Sequence, residues 1–395
     1  MAKQLRMVDI DSHVIEPDDI WEKYLEPEFH SEMPTTWVGY EGDPIAFKFG
    51  LVVPSALAGA QYVMGSASPT GEAIDNPGFS EFLDYSNSRY ADWAKKGFGP
   101  DVYKEALPEA GIEYMVLYPT VGLHATAVPT LSAATAAAFR RAYNRWQGDF
   151  TKAAGSRVIG STNIDLRDPT EAAREVRFCT KEFGNRSVYA NPTPVGNQPL
   201  FHESFEPLWD AMEEMDVPLA FHGCIGSAAE SITKMFLSGL GSQTDRGEVA
   251  FGIHYMMQLA ALIRGQVLAR HPKLRVGFME SGVGWAPWFV DRMDAGNQGG
   301  LRDLPHAGLG DLDPSDYYKR QCYIAAEQTD PGAAFYIDTF GSDNICLSTD
   351  FGHPEGRHYN KAIEEWMALP GLSMEVKEKA MWDNGLRLYG IQHAE

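Results

Sequence analysis

The chain has 395 residues, 44% of them apolar and 22% charged, which is enough to bury a large core in one α/β domain with insertions. A formal net charge of -21 sets up a field that repels polyanions, so neither nucleic acid nor an anionic membrane is an expected partner. No leader-like segment, bilayer-length apolar run or lipidation signal is read in it, and the expected location is the cytoplasm.

The first apolar run, Met7 to Ile10, reads as a strand and leads into Asp11-Ser12-His13. Residues i and i+2 of an extended chain point the same way, so a carboxylate and an imidazole leave the strand tip on one face, as chelation of a divalent cation requires. Glu16 follows closely, placed either to orient a ligand imidazole or to form a surface ion pair. Residues 26–108 then form an insertion rich in Gly, Pro, Ser and aromatics, among them Trp37, Tyr62 and Trp93. A connection of that length is expected to be functional, here as a lid over the site.

Further strands are expected at Tyr114 to Tyr118, Arg157 to Ser161, Ser187 to Ala190, Pro218 to Phe221, Leu274 to Met279, Cys322 to Ala325 and Ile345 to Ser348. Helical patterns lie between them at Ser132 to Lys152, Pro169 to Phe183, Phe205 to Met215, Tyr255 to Arg270, Trp285 to Met293 and Glu375 to Met381. Eight strands alternating with helices imply parallel pairing and a closed (β/α)8 TIM barrel. The whole chain, 1–395, is read as that one domain. A second long segment, 223–252, belongs with the insertion on the C-terminal rim, where active sites of this fold are built.

The strand ends carry the chemistry. His222 closes strand five, Glu280 strand six and Asp350 strand eight, so that with Asp11 and His13 five ligand-type side chains face one mouth. His254 opens the helix before strand six. His353, beyond strand eight, is a candidate ligand partner or proton donor, whereas His358 reads as structural. His124 follows strand two closely enough to touch substrate; His30, His202, His271, His306 and His393 have no such context. Arg140, Arg141 and Arg145 could form an anion clamp, but their spacing favours an outward, solvated face. Cys179, Cys224, Cys322 and Cys346 show no Cys-x-x-Cys pairing and read as free thiols, Cys224 alone lying near a site residue. No phosphate loop, dinucleotide fingerprint or serine nucleophile elbow is present.

Asp-Ser-His-Val-Ile-Glu-Pro at 11–17, Tyr-Pro-Thr-Val-Gly-Leu at 118–123, Phe-His-Gly at 221–223, His-Pro-Lys-Leu-Arg-Val at 271–276, Glu-Ser-Gly-Val-Gly-Trp at 280–285 and Ser-Thr-Asp-Phe-Gly-His-Pro-Glu-Gly at 348–356 resemble the amidohydrolase-related metal enzymes. The resemblance spans nearly the whole chain and is to the branch that includes aromatic acid decarboxylases. It implies that Asp11, His13, His222 and Asp350 hold a divalent metal. The chain departs from that branch at Glu280, where those decarboxylases carry a histidine.

With His254 and Glu280 counted as ligands, the set exceeds what one catalytic metal uses. It is similar to the dinuclear non-haem iron monooxygenases of the same fold, implying two Fe, or Fe with Mn, and O2 as co-substrate for C–H hydroxylation of a small organic acid. In that reading His254, Glu280 and His353 serve catalysis. The alternatives are a mononuclear Zn or Mn hydrolase or decarboxylase, and a non-catalytic partner subunit. A homodimer, or a pair with a homologue, is the assembly the resemblance implies.

Overall fold

The computed structural model describes residues 5–17, 19–33, 35–41, 46–53, 62–65, 93, 96–120, 122–125, 131–192, 198–223, 243–298, 312–353 and 359–393. In chain order the strands are β1 Met7–His13, β2 Thr35–Glu41, β3 Ala46–Val53, β4 Tyr62–Gly65, β5 Ile112–Tyr118, β6 Val158–Asn163, β7 Ser187–Ala190, β8 Leu219–His222, β9 Val276–Met279, β10 Cys322–Glu327 and β11 Ile345–Ser348. Eight of them pair in the order β1-β5-β6-β7-β8-β9-β10-β11, each neighbour parallel. This is the expected α/β barrel.

Closure occurs at the C-terminal end of the sheet. Ser12 bridges Phe351, Asp350 N donates to Asp11 O at 3.0 Å, and His13 N donates to Phe351 O at 2.6 Å. Asp9, wholly buried, accepts from Ser12 Oγ at 2.7 Å, from Thr349 N at 3.0 Å and from the Thr349 hydroxyl, so one carboxylate stitches the first strand to the chain after the last. Gly352 completes the seam. Its φ of 96° suits glycine, and a Cβ there would stand 2.5 Å from His13 O.

All seven residues of β1 are buried, as a strand covered on both faces must be. Inside the barrel Tyr118 OH meets Ser187 Oγ at 3.0 Å and Tyr389 OH at 2.9 Å, and Tyr389 donates to Ile10 O at 2.8 Å. Buried phenols keep their partners in this way. The surrounding helices start and stop where local chemistry dictates. Helix Pro169–Phe183 begins on Asp168, whose side chain accepts from Glu171 N, has Pro at its start, and ends at Gly184 with φ 74°.

The insertion 26–108 holds a three-stranded antiparallel sheet, β2-β3-β4, and β3 contacts the short helix Gly122–Ala125 just beyond the end of β5. Two expectations change. The helix expected from Tyr255 runs over Gln243–Arg264, so His254 lies inside it rather than at its start. Arg140 is not on a solvated face: it is 3% exposed, whereas Arg141 pairs with Glu26 and Glu171, and Arg145 with Glu175. Arg141 and Arg145 are one turn apart and share a face, while Arg140 is rotated by roughly 100° onto the buried side.

Cys179, Cys322 and Cys346 are buried free thiols; Cys224, His306 and His358 lie outside the described residues. Among the described residues no helix is long and apolar enough to cross a membrane.

Candidate metal centre

Asp11 and His13 stand on the same side of β1, and His222 ends β8 across the barrel. His13 Nδ1 lies 2.8 Å from Pro119 O and His222 Nδ1 lies 2.8 Å from Gly223 O. A carbonyl can only accept, so each imidazole carries its proton on Nδ1 and leaves a lone pair on Nε2. Those two Nε2 atoms face each other at 3.0 Å, and Asp11 Oδ1 lies 3.6 Å from both. Asp11 Oδ1 is buried without a hydrogen-bond partner among the described residues.

Two lone pairs and a carboxylate oxygen converging in the dry interior repel one another unless a cation sits between them. The protonation energetics point the same way. Burial lowers His13 to about 4, and burial with the charges of His13 and His353 lowers His222 well below its ordinary value. The imidazoles are therefore neutral, in the form that ligates metals. Burial, helped by the charges of Asp350 and Glu280, raises Asp11 well above the usual carboxylate range. A divalent ion offsets each of these costs, and the donor set of imidazole nitrogen and carboxylate oxygen suits Mn, Fe or Zn.

The remaining candidates divide. Asp350 Oδ1 is 3.3 Å from His13 Nε2 and 3.1 Å from His353 Nδ1, and the His353 ring stacks on His13 with centroids 3.4 Å apart. Two compact groups thus share His13: Asp11, His13 and His222, and His13, Asp350 and His353. Glu280 Oε2 lies 3.3 Å from His222 Nε2, on the flank of these groups. His254 is buried but belongs to neither group, and burial alone lowers it to about 4.

Glu280 and Asp350 both adopt left-handed backbone, φ 46° and 53°. For residues with side chains that conformation is strained, and the strain aims both carboxylates from the strand ends into the mouth.

Of the two roles open to Glu16 in the sequence, the structure excludes the surface ion pair: Glu16 is buried and accepts from Thr120 N and Gly122 N, both at 3.0 Å. It therefore fixes the loop whose Pro119 carbonyl orients His13. Tyr103 OH donates to His13 O at 2.9 Å. Gln328, directly after β10, is fully buried with neither amide atom bonded within the described residues. Thr349, beside Asp350, has no ligand-type side chain to mark it in the sequence, yet it donates twice to Asp9.

The amidohydrolase family profile matches residues 8–391, and the chain belongs to that family. Gamma-resorcylate decarboxylase of Polaromonas sp. strain JS666 is 24% identical over 294 residues, which cover 72% of this chain and 85% of the relative. Among solved structures, an amidohydrolase of Mycobacterium avium subsp. paratuberculosis superposes over 99% of each chain with a TM-score of 0.72 at 21% identity. The dihydroxybenzoic acid decarboxylase of Polaromonas sp. JS666, solved with manganese and 2-nitroresorcinol, covers 74% of this chain and 86% of its own, with a TM-score of 0.61 at 21% identity. A second gamma-resorcylate decarboxylase, of Rhodococcus jostii strain RHA1, is 24% identical over 249 residues, so these relatives carry the name of the decarboxylase alternative and not that of the monooxygenase.

Proposed function

We propose that this protein is a carboxy-lyase using one divalent metal to remove CO2 from a small aromatic acid. The observation that carries the reading is the pair of Nε2 lone pairs of His13 and His222 facing each other at 3.0 Å beside Asp11. Asp11, His13, His222 and Asp350 would hold it. The metal supplies a Lewis acid that binds and polarises the substrate's acid group.

The chain's own residues do the rest. The side chains of His13, His222 and Asp11 are at most 1% exposed, whereas that of Glu280 is 19% exposed, so Glu280 is the member of the cluster that faces an incoming substrate. When the bond from ring carbon to carboxylate breaks, its electron pair stays on the ring, CO2 leaves, and the same carbon must take up a proton. Glu280 is the group placed to deliver it, standing where the decarboxylases resembled by sequence carry a histidine. His353, stacked on His13 and against Asp350, keeps both in place. Glu16, through the Pro119 loop, fixes the orientation of His13.

The test is CO2 release from a panel of hydroxybenzoic acids by manganese-loaded protein, with dissolved O2 followed in parallel. Release without O2 uptake supports the carboxy-lyase. O2 consumption with hydroxylated product and no CO2 would replace it by the oxygenase.

A further inference from the structure

Tyr255 is wholly buried in helix Gln243–Arg264, its ring stacked beside Trp285 with centroids 6.2 Å apart and edge-on to Phe278 at 5.8 Å. Its hydroxyl stands between the ends of two barrel strands. The register of β8 and β9 ends where His222 pairs with Met279. Just beyond that pair, Gly223 N donates to Tyr255 OH at 2.8 Å, and Tyr255 OH donates to Met279 O at 2.6 Å. A backbone N–H can only donate and a carbonyl can only accept, so the phenol both accepts and donates here. Burial, with the charge of Glu280, raises the phenol well above its ordinary range, which keeps its proton in place.

Both backbone groups belong to the site. Gly223 follows the candidate ligand His222, and its carbonyl accepts from His222 Nδ1 at 2.8 Å, so whatever holds Gly223 holds that imidazole. Met279 precedes Glu280, and its carbonyl lies in the peptide plane from which the left-handed φ of 46° at Glu280 starts. Such a conformation persists only where neighbouring bonds over-determine it, and the bond from the phenol is one of them. The carboxylate so aimed stands 3.3 Å from His222 Nε2. The hydroxyl also keeps Gly223 N–H and Met279 C=O from joining directly, and thus acts as a spacer between the strand ends.

We propose that Tyr255 is a positioning residue: its hydroxyl, inserted between the ends of β8 and β9, sets how far the proton donor Glu280 stands from the metal ligand His222. The part played by Glu280 rests on the carboxy-lyase reading; the link from the phenol to His222 does not. Tyr255 acts through the two residues that it spaces. Phenylalanine keeps the ring between Trp285 and Phe278 and removes the spacer, leaving Gly223 N–H and Met279 C=O facing each other unbonded. Unpaired buried groups are costly, so the two close on one another and carry Glu280 off its position beside His222.

The experiment compares full-length wild type, Tyr255→Phe, Glu280→Gln and the double variant. CO2 release from hydroxybenzoic acids is followed at saturating manganese, and manganese affinity is measured by calorimetric titration of the metal-free forms. Tyr255→Phe should lower kcat by roughly 10- to 100-fold, the cost of slightly misplacing a reacting group, with KM within about threefold of wild type. Its manganese affinity should fall by roughly tenfold, as when a group supporting a ligand is lost. In the Glu280→Gln background the same substitution should change kcat by less than about threefold, since the group it positions is already gone. A full second loss in the double variant would mark a merely structural role and overturn the proposal, as would a Tyr255→Phe protein with wild-type kcat and manganese affinity. If the Phe variant does not fold, a crystal structure of wild type with manganese decides. The phenol oxygen within about 3 Å of both Gly223 N and Met279 O supports the spacer, and a direct bond between those two groups overturns it. No CO2 release by wild type from any acid would sink the carboxy-lyase reading alone, and manganese affinity then judges the link from Tyr255 to His222.

Discussion

Asp9 on the first barrel strand holds Thr349 beyond the last one, accepting from its backbone N–H at 3.0 Å and from its hydroxyl. Two residues after Asp9 comes Asp11, and one residue after Thr349 comes Asp350. One buried carboxylate therefore sets the spacing between two candidate metal ligands that are far apart in the chain.

Thr349→Val deletes the hydroxyl and leaves part of the Asp9 carboxylate without a donor in a site that water does not reach. We expect a loss of about 1–3 kcal/mol in urea unfolding and a fall in manganese affinity of roughly tenfold or more, as when a group supporting a ligand is removed. Thr349→Ser should restore both. Unchanged unfolding and metal affinity in the Val variant would show that the seam does not depend on this bond.

Gly352→Ala tests the same seam from the backbone side. With φ at 96° and the new Cβ 2.5 Å from His13 O, the chain must shift away from His13. The expected cost is about 1–3 kcal/mol, read as a lowered melting temperature, together with weaker metal binding.

Glu280 combines strain with exposure. Glu280→Gln should leave the fold and the metal content unaltered and lower kcat by roughly 10²- to 10⁴-fold, as for loss of a proton donor. Glu280→Gly should also be inactive yet more stable by about 1 kcal/mol, because glycine accepts the left-handed φ of 46° without strain. Differential scanning calorimetry beside a CO2-release assay separates the two effects.

His254 provides a pH signature away from the metal ligands. Burial lowers it from 6.5 to about 4. Between those values the unfolded chain takes up a proton that the folded chain refuses, so stability is complete above about pH 6.5 and is lost as pH falls toward 4. The contribution is roughly 3 kcal/mol from the size of that shift. His254→Gln should flatten the melting-temperature profile between pH 4 and 6.5 relative to wild type. An identical slope in the variant would place the acid sensitivity elsewhere.

Much of the barrel was legible because its strands are short apolar runs ending in polar residues. Ser187–Ala190 and Ile345–Ser348 begin and end where the sequence pattern places them. Helix Pro169–Phe183 does too, having Asp168, Pro169 and Gly184 as its stops. The start of Gln243–Arg264 was not legible, since Gly247 and Gly252 interrupt its apolar pattern and obscure the first turns. Asp11, His13, His222 and Asp350 could be found because ligand-type residues at strand ends share one mouth in a closed barrel. Their convergence could not be measured without coordinates, and His254, credited as a ligand from its neighbourhood in sequence, is in neither group. The burial of Arg140 is not legible beside Arg141 and Arg145, since a run of arginines says nothing of which one turns inward until the helix is docked.

The central claim is one divalent ion held by Asp11, His13, His222 and Asp350, and anomalous diffraction from crystals grown with manganese, paired with elemental analysis, tests it most directly. The account predicts one manganese per chain, within bonding distance of the Nε2 atoms of His13 and His222. Two ions per chain, or an intact barrel with no ion between those imidazoles at saturating manganese, would contradict it.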